Sequence, residues 1–507
     1  MSQRSGATPT SATSPAAGTA SRLQGKAGAI TIGLVGYLFF VEFVSGVLQG
    51  YYVPLISDIN VWLGIRDADF NWFEASQLLL SALVVPILAK LGDMIGHKRI
   101  LLISTALTAA ASWWLPFADS FWVFLAAWTL QGFYVVWLPL EVALIFDRGR
   151  RTDTGASQTR RAAGLLVVAL EAGAIAGALG GGRIFTAVGG DMTLTLMIPA
   201  IAVTAAFFVI WFGVPESERV TGRRLDTVGF ILLTLSLLTI TSGLTFLRIN
   251  GPGALWVYGL MAVGLLLLLP FGRWVLRHPD PAIDLRVLRR PEMWPIQLTA
   301  GLVGVSLLGA QAPLSTFAGT DPVNGFGLGL DASDRSYIIG AYLVAMIIGA
   351  LLFPLVSRRT TPRIALIAAT FIVAGGYLAF LVNNETVIGV TLNMVVAGIG
   401  SGALVAALPA AAAAAAPLGQ TGIATGLTNT TKTIGGSFAS AIFAVVLALS
   451  AGQAITETAS SLAGYLTVFA ICGGTALVAA VLLFFVPKLA FGDVAADENL
   501  VPTPSQP

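Results

Sequence analysis

Long apolar runs separated by short polar segments fill most of this chain. A bilayer core about 30 Å thick is crossed by a helix of roughly 20 apolar residues. Because hydrocarbon offers no hydrogen bonds to exposed backbone groups, runs of this length predict transmembrane helices. We identify about fourteen such spans, with approximate limits of 30–55, 70–90, 98–117, 121–146, 162–186, 192–214, 226–247, 254–276, 293–317, 335–356, 362–382, 386–408, 421–450 and 462–486.

The apolar runs are flanked by polar ends. Residues 1–26 are rich in Ser, Thr, Ala and Pro and too polar to bury a core, so they predict a disordered cytoplasmic tail; we expect a second such tail at residues 488–507. The first apolar run is longer than the core of a cleavable signal and is followed by many similar runs. It therefore predicts a span and not a signal peptide.

Positive charges are concentrated in alternate loops. The loops after even-numbered predicted spans hold Lys98, Arg99, Arg148, Arg150, Arg151, Arg160, Arg161, Arg219, Arg223, Arg224, Arg277, Arg286, Arg289, Arg290, Arg358, Arg359 and Arg363. The opposite loops hold Arg66, Arg248 and Arg335. Because Lys and Arg are retained on the cytoplasmic side, this asymmetry predicts a multi-pass plasma-membrane protein with both termini in the cytoplasm.

Composition agrees with a membrane protein and excludes several function classes. The chain is 56% hydrophobic and only 11% charged, whereas soluble domains carry roughly a quarter charged residues. Its net charge is +2, so nucleic acid is not an expected partner, while membrane lipid is. The single cysteine, Cys472, excludes an internal disulfide, and two loop histidines, His97 and His278, make a metal site unexpected. Without a phosphate-binding glycine loop, we expect no nucleotide hydrolysis, no cofactor and no enzyme activity.

The segment Ala89-Lys-Leu-Gly-Asp-Met-Ile-Gly-His-Lys-Arg99 connects predicted spans 2 and 3. It resembles the signature loop between helices 2 and 3 of the major facilitator superfamily, Gly-x-Leu-(Ala/Gly)-Asp-x-x-Gly-(Arg/Lys)-(Arg/Lys). The resemblance implies a conformational latch in which Asp93 faces a helix amino terminus of the other half and pairs with a basic residue after span 4. The latch set is Asp93, Gly96, Lys98, Arg99 and Arg148. Capping of a tight turn by Asp93 is the structural alternative.

Two further segments resemble linkers of the fourteen-helix drug:proton antiporter family of that superfamily. They are Val214-Pro-Glu-Ser217 and His278-Pro-Asp-Pro-Ala-Ile-Asp-Leu285, and the resemblance covers roughly residues 27–490. It implies an all-α major facilitator fold of two six-helix bundles, 27–214 and 293–487, each built from inverted repeats. Residues 215–292 then form two extra transmembrane helices and their linkers, and substrate binds near the midplane between the bundles.

Glycines in span 5 predict close helix packing. The run Gly173-Ala-Ile-Ala-Gly177-Ala-Leu-Gly-Gly-Gly182 resembles the antiporter signature Gly-x-x-x-Gly-Pro-x-x-Gly-Gly, with Ala178 in the Pro position. Glycines four residues apart present a flat helix face. The predicted packing set is Gly173, Gly177, Gly181 and Gly182.

Four ionisable residues fall deep inside predicted spans: Glu42, Glu141, Glu171 and Lys432. A charged side chain at the centre of a helix costs about 2.5–3.5 kcal/mol on insertion scales, so each requires a partner, water or a function. Burial raises the pKa of a carboxyl group and a nearby cation lowers it, so such a group can titrate near neutral pH. We predict that Glu42 or Glu171 exchanges a proton, with Lys432 as counter-charge and Glu141 as a further candidate. A static buried ion pair is the alternative.

Two motifs bear on that prediction. The run Asn429-Thr-Thr-Lys-Thr-Ile-Gly-Gly436 resembles the Asn-Thr-x-(Arg/Lys)-x-x-Gly-Gly pattern of the penultimate antiporter helix and includes Lys432. Leu130-Gln-Gly132 resembles the end of the family pattern Arg-x-Leu-Gln-Gly, but Trp128 occupies the position of an arginine associated with proton coupling.

Spans 1, 4, 9 and 12 would face the centre, and their aromatic and amide side chains predict a cavity for a large lipophilic or amphipathic ligand. The cavity set is Phe39, Gln49, Tyr51, Tyr52, Trp128, Gln131, Tyr134, Trp137, Gln297, Gln311 and Asn393. Any of these aromatic rings could instead serve packing or the interfacial belt.

Three functions follow from these observations. The leading prediction is a secondary transporter that exports hydrophobic or amphipathic small molecules, such as drugs or metabolites, in exchange for protons by alternating access. The second is an uptake symporter or facilitator on the same fold, favoured by Trp128 and Ala178 at the motif positions. The third is a membrane sensor or scaffold that moves no solute.

Overall fold

The computed structural model describes residues 32–149, 155–217, 225–279, 281, 283–416, 421–450 and 459–485. The predicted tails at 1–26 and 488–507 lie outside these residues, as do Arg150, Arg151, Arg219, Arg223 and Arg224. All regular structure in the described part of the chain is helical.

Within the described residues, fourteen helical segments are long and apolar enough to cross a membrane, which confirms the predicted number of spans. Spans 1 to 14 are Gly33–Leu63, Asp67–Ile95, His97–Phe117, Phe121–Ile145, Arg161–Ala187, Met192–Gly213, Thr227–Leu247, Leu255–Arg277, Trp294–Gly319, Ala332–Arg359, Pro362–Ala379, Val387–Ala415, Ala424–Ser450 and Leu462–Leu483. We call the side of the membrane where span 1 begins the N-side, and the other the far side. Odd-numbered spans run from the N-side to the far side and even-numbered spans return.

The α-helices that build these spans follow one another through short connections. Their bounds are Ile32–Tyr51, Ile56–Leu63, Phe70–Ile95, His97–Trp114, Phe121–Gln131, Trp137–Gly149, Gly155–Ala187, Met192–Gly213, Thr227–Asn250, Leu255–Arg277, Leu285–Leu288, Trp294–Gly309, Gln311–Gly319, Ala332–Arg359, Pro362–Ala379, Val387–Ala415, Thr421–Ser450 and Leu462–Leu483. Short 3-10 helices lie at Val53–Leu55, Asp67–Asp69, Leu115–Phe117, Gly132–Val136 and Pro322–Asn324.

Three spans are interrupted where the apolar pattern alone predicts continuous helices. Span 1 breaks at Val53–Leu55, where Pro54 lacks a backbone N–H and stands in the first turn of a 3-10 helix. Span 4 changes to a 3-10 helix at Gly132–Val136, and span 9 is divided at Ala310. Tighter turns of this kind re-aim the side chains that follow them.

Polar residues at span ends satisfy the free N–H groups of the helix amino termini. The side chains of Asp191, Asp226, Asp331, Thr361, Thr386 and Ser461 each accept a hydrogen bond from a backbone N–H three residues further on. Such caps end the helices at the membrane surfaces, where water is available.

Spans 1–6 and spans 9–14 form two bundles, each with its own apolar core. Phe124, Trp137 and Leu196 are fully buried in the first bundle, which we call the N-half. Phe317, Phe380 and Phe469 lie together in the second bundle, the C-half, where the rings of Phe380 and Phe469 stack at 4.2 Å between centroids.

Spans 7 and 8 form a helical pair beside the two bundles. Span 7 packs through Leu233 and Leu237 against Leu79 and Leu83 of span 2. Ser236 donates a hydrogen bond to the carbonyl of Gly264 at 2.7 Å and joins the pair. Only 17% of the most apolar 18-residue stretch of span 8 is buried, so this helix presents most of its surface to lipid.

Candidate functional site

The two halves touch each other in the far-side portion of their helices. Spans 2 and 13 are joined by Ser437, whose Oγ donates to the carbonyl of Ala75 at 2.7 Å. Spans 5 and 10 approach closely at Gly182, where a Cβ would lie 2.1 Å from the Ala332 carbonyl oxygen. Arg183 Nη2 donates to the Tyr337 hydroxyl at 3.0 Å in the same region. These contacts close the far side between the halves.

Two of the predicted coupling residues lie inside the N-half. Glu42 in span 1 and Glu141 in span 4 are both 0% exposed. None of their four carboxyl oxygens has a hydrogen-bond partner among the described residues. The two groups lie close enough to interact electrostatically. A pair of buried carboxyl groups with no cation is a costly arrangement, so it requires a proton or another positive ligand to compensate it.

A third buried carboxyl group, Glu74 in span 2, is absent from the predicted set. It is 8% exposed, and its Oε2 has no hydrogen-bond partner in the described part of the chain. Tyr134 of span 4 interacts electrostatically with both Glu74 and Glu42. The sequence prediction missed Glu74 because it began span 2 at residue 70, which placed this side chain at the membrane surface. The signal available was its place within the apolar run that follows Asp69.

Glu171 and Lys432 belong to different halves. Glu171 lies within the helix Gly155–Ala187 of span 5, and Lys432 within the helix Thr421–Ser450 of span 13. Both side chains are partly buried and they interact electrostatically across the interface between the halves. The structure therefore places the predicted counter-charge opposite Glu171 and not opposite Glu42 or Glu141, for which no interaction with a cation is found among the described residues.

Aromatic and amide side chains of the predicted cavity set meet in spans 1 and 4. The Tyr52 and Trp128 rings are 4.9 Å apart between centroids, and the Phe70 and Trp128 rings are 5.1 Å apart. Gln131 Nε2 donates to the Tyr52 hydroxyl at 2.8 Å and to Ser112 Oγ at 3.0 Å. Trp128 thus fills the family's arginine position with a buried ring.

The other residues of that set have different environments. Tyr51 donates to the Thr195 carbonyl at 2.8 Å within the N-half, and Asn393 Nδ2 donates to the Asn383 carbonyl at 2.7 Å within the C-half. Gln297 Nε2 binds the Thr428 hydroxyl at 3.0 Å. Trp137 is fully buried, Phe39 and Gln311 are half-buried and Gln49 is exposed. In this conformation Tyr51, Gln297 and Asn393 are therefore engaged in packing within their own halves, and a cavity role for this set stays a prediction.

The signature loop is held by the linker that follows span 6. Gly96 has a φ of 112°, which L-residues rarely adopt, and allows the chain to reverse. The first N–H groups of span 3 are capped by this linker: His97 N–H donates to Ser217 Oγ at 2.9 Å and Lys98 N–H to Glu216 Oε1 at 3.0 Å. Arg99 Nε lies 3.7 Å from Glu216 Oε2.

Asp93 contacts the signature loop, and Arg148 contacts the linker that follows span 6. Asp93 lies in the last turn of the span 2 helix, with Oδ1 3.3 Å from His97 Nε2. Arg148 Nη2 donates to the Glu216 carbonyl at 3.3 Å. The caps of span 3 at His97 and Lys98 come from Ser217 and Glu216, so the capping alternative for Asp93 does not apply at these two groups. Its latch role stays a prediction.

The glycines of span 5 lie against span 1. A Cβ at Gly173 would lie 2.0 Å from the Phe43 carbonyl oxygen, and one at Gly177 would lie 2.6 Å from that of Val47. A Cβ at Gly181 would lie 2.2 Å from the Tyr51 carbonyl oxygen. Spans 1 and 5 are therefore in backbone contact. The described residues include no group of three or more His, Cys, Asp or Glu side chains placed to hold a metal ion.

Comparisons with known proteins match this architecture. The chain is 26% identical over 433 residues to the cephamycin export protein CmcT of Amycolatopsis lactamdurans, covering 83% of this chain and 85% of that protein. It is 20% identical over 442 residues to the multidrug transporter protein MdtP of Bacillus subtilis (strain 168), covering 86% of this chain and 78% of that one.

A crystal structure of a bacterial homologue of the human lysosomal transporter Spinster has the same fold. It superposes with a TM-score of 0.59 at 13% identity, and the match covers 90% of this chain and 95% of that one. The family model for the Major Facilitator Superfamily matches residues 38–440. The chain belongs to the Major Facilitator Superfamily of membrane transporters.

Proposed function

We propose that this protein exports hydrophobic or amphipathic small molecules across the plasma membrane in exchange for protons, by alternating access. The observation that carries the proposal is the pair Glu42 and Glu141, two fully buried carboxyl groups without hydrogen-bond partners among the described residues. While water is excluded from the N-half, burial favours the neutral, protonated form of these two carboxyl groups. When the half rearranges and water enters, a proton can leave.

Glu74 and Tyr134 extend this acidic group toward the far side. Tyr134 interacts electrostatically with both Glu74 and Glu42, and Glu74 lies near the far-side end of span 2. A proton that enters from the far side would therefore meet Glu74 before Glu42. Glu171 and Lys432 have a separate place in the proposal, because they lie on opposite halves and their mutual attraction changes when the halves move.

The concentration of positive charge in the N-side loops supports a cytoplasmic N-side. The far side, which would then face outward, is closed in this conformation by the Ser437–Ala75 and Gly182–Ala332 contacts. The aromatic and amide group of Tyr52, Trp128 and Gln131 favours amphipathic ligands, because dispersion and stacking tolerate varied shapes. The names of the two relatives, a cephamycin export protein and a multidrug transporter protein, support the same substrate class, and the first also supports the same direction.

The test is transport by purified protein in sealed proteoliposomes with an imposed pH gradient and a panel of lipophilic fluorescent dyes. We expect dyes to move against the direction of proton flow, and we expect this movement to stop when the gradient is collapsed. Glu42→Gln and Glu141→Gln should each abolish gradient-driven accumulation. Glu385→Gln changes an exposed carboxyl group in the far-side loop after span 11 and should leave it unchanged. Uphill transport by Glu42→Gln with an unaltered pH profile would remove Glu42 from the proposal.

One observation favours the second function, uptake symport or facilitated diffusion. The arginine of the family pattern is replaced by Trp128, whose ring contacts those of Tyr52 and Phe70. The same vesicles separate the two functions: dye movement along with protons indicates symport, and movement that ignores the gradient indicates facilitation. Absence of any flux across the panel would favour a sensor or scaffold.

A further inference from the structure

A buried arginine joins the two halves at the far side. Arg335 lies in the first turns of span 10 and is 2% exposed. Its Nη2 donates to Asp58 Oδ2 of span 1, and its Nε donates to the Asp331 carbonyl at 3.2 Å. Asp58 belongs to the N-half and Arg335 to the C-half, so the ion pair joins the two halves.

Neighbouring groups make a layer around this pair. Tyr465 of span 14 donates its hydroxyl to Asp67 Oδ2 of span 2 at 3.3 Å. Ser57 Oγ donates to the Ser315 carbonyl of span 9 at 3.3 Å. A Cβ at Gly319 would lie 2.6 Å from Ser57 Oγ, so the chains are in close contact here. Every one of these contacts joins the N-half to the C-half.

We propose that Asp58 and Arg335 are gating residues, whose ion pair holds the far side closed and must break in each transport cycle. Alternating access requires the far side to open, and the pair joins the halves in the same layer as the Ser57–Ser315 and Asp67–Tyr465 hydrogen bonds. Breaking a buried pair by removing one partner is strongly unfavourable, because a charge is left uncompensated.

The position of the pair also makes it reversible. The Asp58 side chain is 27% exposed while that of Arg335 is 2% exposed, so water already reaches one partner. Opening the far side would hydrate both groups, and this hydration offsets much of the lost attraction. Such an ion pair favours the closed far side but still allows the far side to open. The inference depends on alternating access by the family fold and not on proton coupling or on the identity of the substrate.

The test is a distance measurement across the far side by electron paramagnetic resonance. Spin labels are placed at Val61→Cys in the N-half and Val323→Cys in the C-half, which are 82% and 58% exposed. Cys472, which is buried, is replaced by Ala. Unaltered gate residues should give a short, narrow distance distribution in lipid nanodiscs. Asp58→Asn should raise the ratio of molecules with an open far side to molecules with a closed far side by about tenfold or more. This is the size of effect expected when an interaction that couples two conformations is lost.

Controls distinguish a gate from general damage. Arg335→Lys keeps the positive charge and should stay mainly closed, and Asp334→Asn, an exposed carboxyl group on the same helix turn, should match the parent protein. If Asp58→Asn does not fold, Asp58→Asn/Arg335→Gln removes both members of the ion pair and should also open; Asp67 and Asp331, which interact electrostatically with Arg335, stay in place. Unchanged distances in the folded single or double variant would overturn the proposal, even if every transport assay supported proton-coupled export.

Discussion

Gly173 in span 5 lies against the backbone carbonyl of Phe43 in span 1, so closely that a Cβ on residue 173 would approach the carbonyl oxygen to 2.0 Å. The C-half repeats this relationship between spans 9 and 13, where a Cβ at Gly304 would lie 2.0 Å from the Lys432 carbonyl oxygen. Both halves therefore contain a crossing at which two helix backbones touch, and the C-half has a further one between spans 10 and 12 at Gly349 and Gly402. Close crossings through glycine stabilise helix packing in membranes, where hydrocarbon gives little hydrophobic drive for association.

We expect Gly173→Ala to destabilise the protein by about 1–3 kcal/mol, because the added methyl must displace the backbone of span 1. Gly180→Ala is a matched control on the same helix: the atom nearest its new Cβ is Ile184 Cδ1 at 3.9 Å. Thermal unfolding of the purified variants, followed by intrinsic fluorescence, compares the two. Equal stability of Gly173→Ala and Gly180→Ala would show that spans 1 and 5 are not in backbone contact in the membrane.

The number of membrane spans could be predicted because it depends on the length and hydropathy of runs along the sequence, not on contacts between distant residues. Length and hydropathy define a span, and the glycines of span 5 were identified from their four-residue spacing and their resemblance to the antiporter signature. Their partners Gly46 and Gly50 in span 1 were not, because what reveals them is the approach of Leu170 and Ala174 in the folded chain. The same holds for the ion pair: Arg335 looked like a loop charge, and nothing local in the sequence connects it with Asp58.

The linker after span 6 should stabilise the signature loop. Glu216 Oε1 accepts from the backbone N–H groups of Lys98 and Ser217, at 3.0 and 3.1 Å. Glu216→Ala should therefore cost about 0.5–2 kcal/mol of stability, as lost helix caps do. Hydrogen exchange of the peptide that begins at His97 should speed up, whereas Glu385→Ala, an exposed change in a far-side loop, should leave that peptide unchanged. Exchange at this peptide that stayed slow in Glu216→Ala would argue against the cap.

Gly96 should tolerate no side chain. Its φ of 112° and ψ of 134° suit glycine alone, and a Cβ there would lie 2.5 Å from Glu216 Oε1. Gly96→Ala combines backbone strain of about 1–3 kcal/mol with displacement of the Glu216 carboxylate. We expect reduced yield and a lower unfolding temperature. Gly253→Ala, in a loop with no atom within 4 Å of the new Cβ, serves as the comparison and should behave like the parent. A normal unfolding temperature for Gly96→Ala would mean that the loop can adopt another conformation.

Asp93→Asn should separate conformational change from folding. Asparagine keeps the shape of the side chain in the last turn of span 2 but removes its charge, and a latch between the halves depends on that charge. We expect turnover in proteoliposomes to fall at least tenfold, while the unfolding temperature and dye binding stay near those of the parent protein. Loss of yield with normal turnover in the remaining protein would instead indicate a structural role for Asp93.

Glu171 and Lys432 offer a test of coupling between the halves, because each acts on the other across the interface. Glu171→Gln and Lys432→Gln each leave one charge without its opposite in a partly buried position, which is more costly than removing both. We therefore expect each single variant to lose most gradient-driven transport. We expect Glu171→Gln/Lys432→Gln to recover stability and dye exchange without recovering uphill transport.

Additive effects of the two substitutions on stability would mean that the charges do not interact, since only coupled residues deviate from additivity. Full uphill transport by the double variant would instead place the exchanged proton elsewhere, with Glu42, Glu74 and Glu141 as the buried glutamates of the N-half.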